Sequence, residues 1–185
     1  MGATPGPNGR CSDNPPPRRR LSAAELALAA VGIAAGALIL GFVVVIVARV
    51  HKCADQLTCY GNLGQIGLST LVYAADYDGH LPLAGNWCDA VGPQYVKNLD
   101  CFRCPALPQA RSGYAYNAAL SGLDVKRPGL PPDLVMVYDG LGGWNASGGP
   151  NLFDPRHGGR GLVEYVDGRR EWKQRKDLVG VSWRP

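Results

Sequence analysis

One histidine and two aspartates in the C-terminal half of the chain have side chains suited to acid–base chemistry. His157 is followed after nine residues by Asp167-Gly168, and Asp139 ends a short apolar run. A histidine that is hydrogen-bonded to a carboxylate orients catalysis in many hydrolases. The chain contains no GxSxG, HExxH or phosphate-loop motif, however. We therefore expect no enzymatic activity: His157 is expected to anchor a glycine-rich loop, and Asp167 and Gly168 to form a hairpin turn.

Six cysteines offer thiolate chemistry, at positions Cys11, Cys53, Cys59, Cys88, Cys101 and Cys104. The last two form a CxxC motif, which is typical of a redox centre or of half a zinc site, here completed by Cys88 and His80. Because zinc needs four ligands at close spacing and only one CxxC is present, structural disulfides are the favoured interpretation. Cys53 and Cys59 lie six residues apart on a predicted helix, about 240° around its axis, and should not pair with each other.

An uncharged apolar run over residues 26–48 bears on which side of a membrane the histidine, the aspartates and the cysteines lie. A helix of that length covers roughly 35 Å, enough to cross a bilayer with some tilt. A buried core helix rarely stays uncharged for so long, and a cleavable signal has a shorter apolar region followed by small residues. This run instead ends in Val-Ala-Arg-Val-His-Lys. We therefore predict a single transmembrane helix over residues 21–50.

Charge predicts how the chain is oriented in the membrane. Arg18, Arg19 and Arg20 stand just before the apolar run, and basic residues prefer the cytoplasmic side. Residues 1–20, with five prolines and three glycines, are predicted to be a disordered cytoplasmic tail. Residues 51–185 are then an exported domain, where disulfides can persist. That domain carries 14 basic and 13 acidic side chains, so its charge gives no indication of nucleic-acid binding.

A long helix must connect the apolar run to the exported domain. Ser22 is the predicted N-cap, with Glu25 as its capping-box partner, and Asp78-Gly79 is the predicted stop. Within residues 50–77 the predicted packing stripe consists of Leu57, Tyr60, Leu63, Ile66, Leu71, Val72 and Ala75. The stripe is interrupted by Gly61, Gly64 and Gly67, each of which costs about 1 kcal/mol relative to alanine.

The C-terminal part of the chain predicts a small antiparallel sheet. Apolar runs at residues 134–138 and 161–166 are predicted strands, and residues 169–174 are the return strand, with Trp172 packing inward. Asp167-Gly168 between the last two is a strong signal for a two-residue type I′ hairpin. Residues 80–133 and 141–160 are expected to be mostly loop. The predicted fold class is α+β: a long N-terminal transmembrane helix that extends into a small domain with an antiparallel sheet.

This order of elements, with several local strings, resembles the type IV pilin-like superfamily. Within it the chain is similar to pseudopilin-type proteins that carry an H-X9-DG motif and are related to the major pseudopilin of type II secretion. The matching strings are CYGNLGQIGL at 59–68, YAADYDGHLP at 73–82, FRCP at 102–105, YNAALSG at 116–122 and RHGGRGLVEYVDGRREW at 156–172. The resemblance implies a helix that is both membrane anchor and polymer spine, followed by a small antiparallel sheet.

The resemblance also assigns roles near the amino end. A prepilin leader ends in basic residues and a glycine, and the mature helix has glutamate at its fifth position. Glu25 is the fifth residue if Leu21 is the first, but Arg20 stands where the glycine is found. In pilins this glutamate pairs with the amino terminus of a neighbouring subunit. Because Arg20 departs from the processing pattern, we expect Glu25 to serve as a helix-start residue.

The resemblance bears on the cysteines and on calcium as well. Cys59 and Cys104 both stand in its recurring strings, and Cys59 shares a predicted helix face with Leu63 and Ile66, so a Cys59–Cys104 disulfide is expected. Cys88 and Cys101 could form a second one. Major pseudopilins can hold calcium near their sheet, which makes Asp133, Asp139 and Asp154 weak calcium candidates, although they form no EF-hand pattern. No other cofactor is expected.

These expectations combine into one functional hypothesis. The chain is expected to be a single-pass, pseudopilin-like envelope protein of a bacterial cytoplasmic membrane, with its C-terminal domain exported. It would act by assembly with other pilin-like subunits or by protein contact, with no nucleic-acid partner, in connection with type II secretion or a pilus-like system. The alternative is a membrane-tethered enzyme, or a ligand- or metal-binding domain, centred on His157 and Asp167.

Overall fold

The computed structural model describes residues 22–185. The predictions for the tail of residues 1–20, and for Cys11, Arg20 and Leu21, lie outside the described residues. The chain divides after Ile46 into two units, the first ending at that residue and the second running from Val47 to Pro185.

Helix α1 runs from Ala23 to Asp76, over 54 residues. Its start is the predicted capping box: the Ser22 backbone N–H donates to Glu25 Oε2 at 2.8 Å, and the Glu25 N–H donates to Ser22 Oγ at 3.3 Å. Its end is a Schellman-type closure, in which the Gly79 N–H donates to the Ala74 carbonyl and Asp78 has a φ of 56°. The predicted start and stop of the helix are therefore confirmed.

The first unit contains the apolar half of α1. Its described side chains are all exposed, including Leu38 with an exposed fraction of 76%. Within residues 22–185, α1 is the one helix that is long and apolar enough to cross a membrane. An exposed apolar helix of this kind is compatible with a membrane anchor, because a bilayer would cover the side chains that the protein leaves uncovered.

The second unit packs the rest of α1 on a five-stranded sheet. Within residues 22–185 the second α-helix is α2 (Trp87–Tyr95). The strands there are β1 (Tyr114–Asn117), β2 (Val135–Asp139), β3 (Ser147–Gly148), β4 (Gly161–Tyr165) and β5 (Arg170–Lys173). Their spatial order is β3-β1-β2-β4-β5. Strands β1, β2, β4 and β5 pair antiparallel, whereas β3 pairs parallel with β1. The fold is α+β as predicted, but the sheet is mixed rather than antiparallel.

Two cores lie on the two faces of this sheet. On the α1 face, Leu63 and Ile66 pack with Tyr114, Met136 and Leu162. On the opposite face, a second group of apolar side chains is covered by the C-terminal segment of the chain, with Val135, Tyr138, Phe153, Val163, Tyr165 and Leu178 as its main members. Neighbouring residues of β4 alternate between the two cores, as the two-residue period of a strand requires.

The predicted packing stripe of α1 is only partly right. Leu63 and Ile66 are buried as expected, together with Cys59, whereas Leu57, Tyr60 and Val72 are exposed. The glycines that were counted as interruptions are instead part of the packing face. A Cβ at Gly67 would lie 2.0 Å from Glu164 Oε1, and a Cβ at Gly64 would lie 1.8 Å from an Arg170 nitrogen. The bare backbone at these two positions admits the polar side chains of β4 and β5.

The β4–β5 hairpin is confirmed, but its predicted turn type is wrong. Leu162 pairs with Trp172 and Glu164 pairs with Arg170 across the hairpin. The Gly168 N–H donates to the Tyr165 carbonyl and the Tyr165 N–H donates to the Arg169 carbonyl, both at 2.9 Å. Gly168 has a φ of 83°, and Asp167 does not have a positive φ. The loop therefore has three residues, with the glycine in the left-handed position that ends such loops.

Candidate functional site

Two cysteines and one histidine meet between α1 and the sheet, and we call Cys59, Cys104 and His157 the Cys–His cluster. The Sγ atoms of Cys59 and Cys104 lie 2.8 Å apart. His157 Nε2 lies 3.6 Å from Cys104 Sγ. The three ligand-type atoms all fall within 4.8 Å of one another, and all three residues are buried. Among the described residues this is the group of histidine, cysteine and carboxylate side chains that could hold a metal ion.

Three separate elements bring these side chains together. Cys59 lies on the buried face of α1. Cys104 follows the short helix Leu99–Phe102, and Gly113 presses against it so closely that a Cβ there would lie 2.5 Å from Cys104 Cβ. His157 stands at the start of a tight turn, because its N–H donates to the Arg160 carbonyl at 2.9 Å.

The turn after His157 depends on two glycines. Gly158 and Gly159 have φ values of 67° and 83°, the positive pair that a type I′ turn requires. The His157 ring packs edge-on against Trp172, with 5.4 Å between ring centroids. The turn directs the His157 side chain towards the two cysteines, and contact with the Trp172 indole fixes the orientation of the imidazole ring.

Asp139 supplies a buried carboxylate beside the cluster. Its Oδ2 accepts a hydrogen bond from the Leu162 N–H at 2.8 Å and lies 3.6 Å from His157 Nε2. Its Oδ1 lies 3.3 Å from the Arg156 guanidinium. Burial raises the pKa of Asp139 to about 6, against the opposing effects of Arg156 and of the Leu162 N–H. Burial of Asp139 thus favours its protonated form, and these neighbours favour its ionised form.

The neighbours of the cluster also shift the pKa values of its own members. The pKa of the Cys104 thiol is lowered by hydrogen bonding with Cys59 and, against the effect of burial, with His157. The pKa of Cys59 is raised by its hydrogen bond with Cys104 and by burial. Burial acts to lower the pKa of His157, but contact with Cys104 and the charge of Asp139 raise it overall. Cys104 is therefore the cysteine of the pair that favours the thiolate form.

A disulfide and a metal ion are both within the chemistry of this cluster. The described cysteines form no disulfide with one another, so the predicted Cys59–Cys104 disulfide stays a prediction, although its two sulfur atoms are adjacent. Closing a loop of 45 residues would restrict the unfolded chain by about 4 kcal/mol in the chain-entropy model. The two thiols and the imidazole are also ligands that zinc and copper(I) prefer.

The other cysteines and His80 have different surroundings. Cys88 Sγ accepts a hydrogen bond from the Asn145 N–H at 3.3 Å, and burial raises the pKa of Cys88 to about 12 and that of Cys101 to about 11. His80 is exposed beside the Tyr77 carbonyl at the end of α1. The structure does not gather Cys88, Cys101 and His80 with Cys104 into one set of ligands. A Cys88–Cys101 disulfide stays a prediction.

The two halves of the H-X9-DG motif lie at opposite ends of β4. His157 precedes the strand and Asp167 follows it, and five extended residues cover about 17 Å. Asp167 accepts from the Arg169 N–H at 2.9 Å and from Arg169 Nε at 2.6 Å, which secures the hairpin loop. The motif therefore does not form a single site. The carboxylate that lies beside His157 is Asp139.

The three calcium candidates are also divided. Asp133 accepts a hydrogen bond from Ser182 Oγ, before the start of β2, while Asp139 ends that strand. Asp139 and Asp154 both face Arg156, whose guanidinium lies 3.3 Å from the first carboxylate and 3.7 Å from the second. Arg156 thus supplies, next to these two carboxylates, the positive charge that a calcium ion would otherwise provide.

Sequence reasoning named Asp139 as a candidate carboxylate partner of His157 but missed Arg156 and the contact of His157 with Cys104. The only local signal was Arg-His-Gly-Gly, since two consecutive glycines favour a type I′ turn that fixes the preceding side chain. Glu25, the described member of the predicted processing residues, takes part in the capping box.

Comparisons of the chain with protein-family models, with curated proteins and with solved structures give no match.

Proposed function

We propose that this chain is a single-pass, membrane-anchored envelope protein of pilin-like type, which acts by assembly or protein contact rather than by catalysis. The observation that carries the proposal is α1, which begins as an exposed apolar helix and ends as a packed element of a small sheet domain. An anchor that is also a structural element of its domain is the arrangement expected of a pilin-like subunit. The string resemblance and the order of helix before sheet support the same class.

The exposed face of α1 in the second unit supports assembly. Leu57, Leu68 and Val72 are exposed by 68%, 64% and 45%. At 100° per residue they lie within about 60° of one another around the helix, on the side opposite the buried Cys59 and Ile66. We call Leu57, Leu68 and Val72 the outer stripe. A row of apolar side chains on one helix face is suited to packing against another helix, and we propose that this helix belongs to a second copy of the chain.

Cysteine cross-linking in membranes tests this assembly. In a Cys11→Ser/Cys53→Ser background, Leu68→Cys places a single exposed thiol on the outer stripe. Val179→Cys is the matched control, because Val179 is 92% exposed but lies on the C-terminal 3-10 helix. If copies pack through the outer stripe, mild oxidation gives a covalent dimer for the Leu68 variant and little for the Val179 variant. Equal cross-linking of the two variants would reject this interface.

A further inference from the structure

We propose that Cys59, Cys104 and His157 bind one zinc ion, through two Sγ atoms and Nε2, when the cysteines are in the thiol form. This goes beyond the anchoring and assembly role, and does not depend on it. Zinc binds both thiolates and imidazole, and a set of two cysteines and one histidine leaves the fourth tetrahedral position open to a further ligand. Three elements that are far apart in the chain converge here, and each contributes one ligand.

The distances within the cluster are close to those that zinc requires. With Zn–S near 2.3 Å and Zn–N near 2.0 Å, tetrahedral coordination places sulfur and nitrogen about 3.5 Å apart and two sulfurs about 3.8 Å apart. Cys104 Sγ and His157 Nε2 are already 3.6 Å apart. The two sulfurs, at 2.8 Å, lie between the spacing of a disulfide and that of two zinc-bound thiolates. Either state therefore needs a sulfur shift of about 1 Å.

The surroundings allow a buried zinc ion to be electrically balanced. Binding releases the two thiol protons, and two thiolates neutralise the charge of Zn²⁺. Asp139 carries one negative charge, and Arg156 lies 3.3 Å from it with one positive charge. Asp139 Oδ2 lies 3.6 Å from His157 Nε2, but it is outside the group of three atoms that lie close enough to share one ion. The complete set of two thiolates, carboxylate, guanidinium and zinc has no net charge, which lowers the desolvation penalty of burying it.

A cleft gives access to the cluster from the histidine side. It has a volume of about 300 Å³, and Arg156, His157 and Gly158 are among the residues that line it. His157 is the member of the Cys–His cluster that lines this cleft. Once bound, the zinc ion would join α1, the segment at Cys104 and the turn at Gly158-Gly159. A disulfide between the same cysteines would exclude zinc, because it leaves no thiolate to bind the metal.

The test uses the full-length chain in detergent micelles, reduced with a phosphine and carrying Cys11→Ser and Cys53→Ser to remove two cysteines outside the cluster. We expect one Zn²⁺ or Co²⁺ retained per chain after desalting. The cobalt form should show thiolate charge-transfer absorption and the visible bands of a tetrahedral site. Cys59→Ser and Cys104→Ser should each abolish that signal, and His157→Gln should weaken metal binding at least about tenfold. Cys101→Ser, the other half of the CxxC motif, is the matched control and should retain it.

A measurement on the chain with an intact cluster covers the case in which a variant fails to fold. X-ray absorption at the zinc edge of the loaded protein should report two sulfur ligands near 2.3 Å with nitrogen or oxygen ligands near 2.0 Å. The proposal is overturned if the reduced, folded protein retains no metal. It is equally overturned if the bound metal has a shell without two sulfurs, or if folded Cys59→Ser and Cys104→Ser variants bind as well as the parent.

Discussion

Glu164 is the residue whose burial has the clearest energetic consequence. Its side chain lies on β4 against the backbone of α1, in the space that Gly67 leaves open. The residue is 2% exposed, and its Oε2 has no hydrogen-bond partner among the described residues. Burial raises the pKa of Glu164 to about 8, although the charge of Arg170 opposes the shift. The carboxyl is therefore mostly protonated in the folded protein at neutral pH, while an unfolded chain would ionise it.

This difference predicts how stability depends on pH. A carboxyl with a raised pKa contributes fully below its unfolded value, near 4.5, and the contribution is lost as the pH rises towards 8. Glu164→Gln removes the ionisation, so we expect it to be about 1–3 kcal/mol more stable than wild type at about pH 8, with a smaller difference at about pH 5. Denaturant unfolding of the full-length protein in micelles, followed by tryptophan fluorescence, measures this.

Glu171→Gln is the matched control on the neighbouring strand. The pKa of Glu171 is lowered by its hydrogen bond with Lys173, and its side chain is 41% exposed. Its substitution should therefore give no gain in stability at high pH. Equal pH slopes for Glu164→Gln and wild type between about pH 5 and pH 8 would show that Glu164 is ionised in the folded state.

The buried polar residues mark the limit of prediction from sequence at this scale. Glu164 stands in an apolar strand where the alternation gives no sign that it faces a helix backbone. The sequence offers Asp139 and Asp167 alike as carboxylate partners of His157 and gives no sign of Cys104. In the structure the neighbours of His157 are Cys104 and Asp139, which come from distant parts of the chain. Contacts between distant segments depend on strand order and packing, which local residue patterns do not contain.

At the scale of elements, the hairpin between β4 and β5 depends on a single glycine conformation. Gly168 has a φ of 83°, and no atom beyond its two neighbours in the chain lies within 4 Å of the position that its Cβ would occupy. Any cost of substitution there is therefore backbone strain rather than a clash. Gly168→Val should lose more than about 1 kcal/mol of stability, because a β-branched residue is poorly accommodated at positive φ.

The control for the hairpin uses the same position. Asparagine tolerates the left-handed region, so Gly168→Asn should cost clearly less than Gly168→Val. Thermal unfolding of the two variants in parallel measures the difference. If both variants lose the same stability, the loss comes from adding any side chain at this position, and the explanation by backbone strain is wrong.

Prediction of the elements succeeded where the pattern was long or the turn chemistry specific. The capping box at Ser22 and Glu25, and the stop at Asp78-Gly79, placed both ends of α1. Strands β1 and β3, with four and two residues, and helix α2, with a proline at Pro93, were missed. These elements contain at most about two and a half periods of their pattern, so tertiary pairing rather than local pattern defines them. Because β3 pairs parallel with β1, missing these two strands also led to the wrong prediction of a purely antiparallel sheet.

At the scale of the whole molecule, the proposed function requires the two ends of the chain to lie on opposite sides of a membrane. Cys11 precedes the apolar run, and Cys53 follows it. Cys53 is exposed, whereas Cys59, Cys88, Cys101 and Cys104 are buried. The chain therefore carries one natural thiol before the apolar run and one exposed thiol after it, which can be labelled separately.

We expect a membrane-impermeant maleimide to label Cys53, but not Cys11, in intact spheroplasts after mild reduction. The reason is that the arginines before the apolar run favour the cytoplasmic side for the amino end. Permeabilised spheroplasts should label both cysteines, and Cys53→Ser should remove the label seen in intact ones. Peptide mass spectrometry assigns the label and also shows whether the chain begins at Met1 or at Leu21. Labelling of Cys11 with protection of Cys53 in intact spheroplasts would reverse the proposed orientation and place the sheet domain in the cytoplasm.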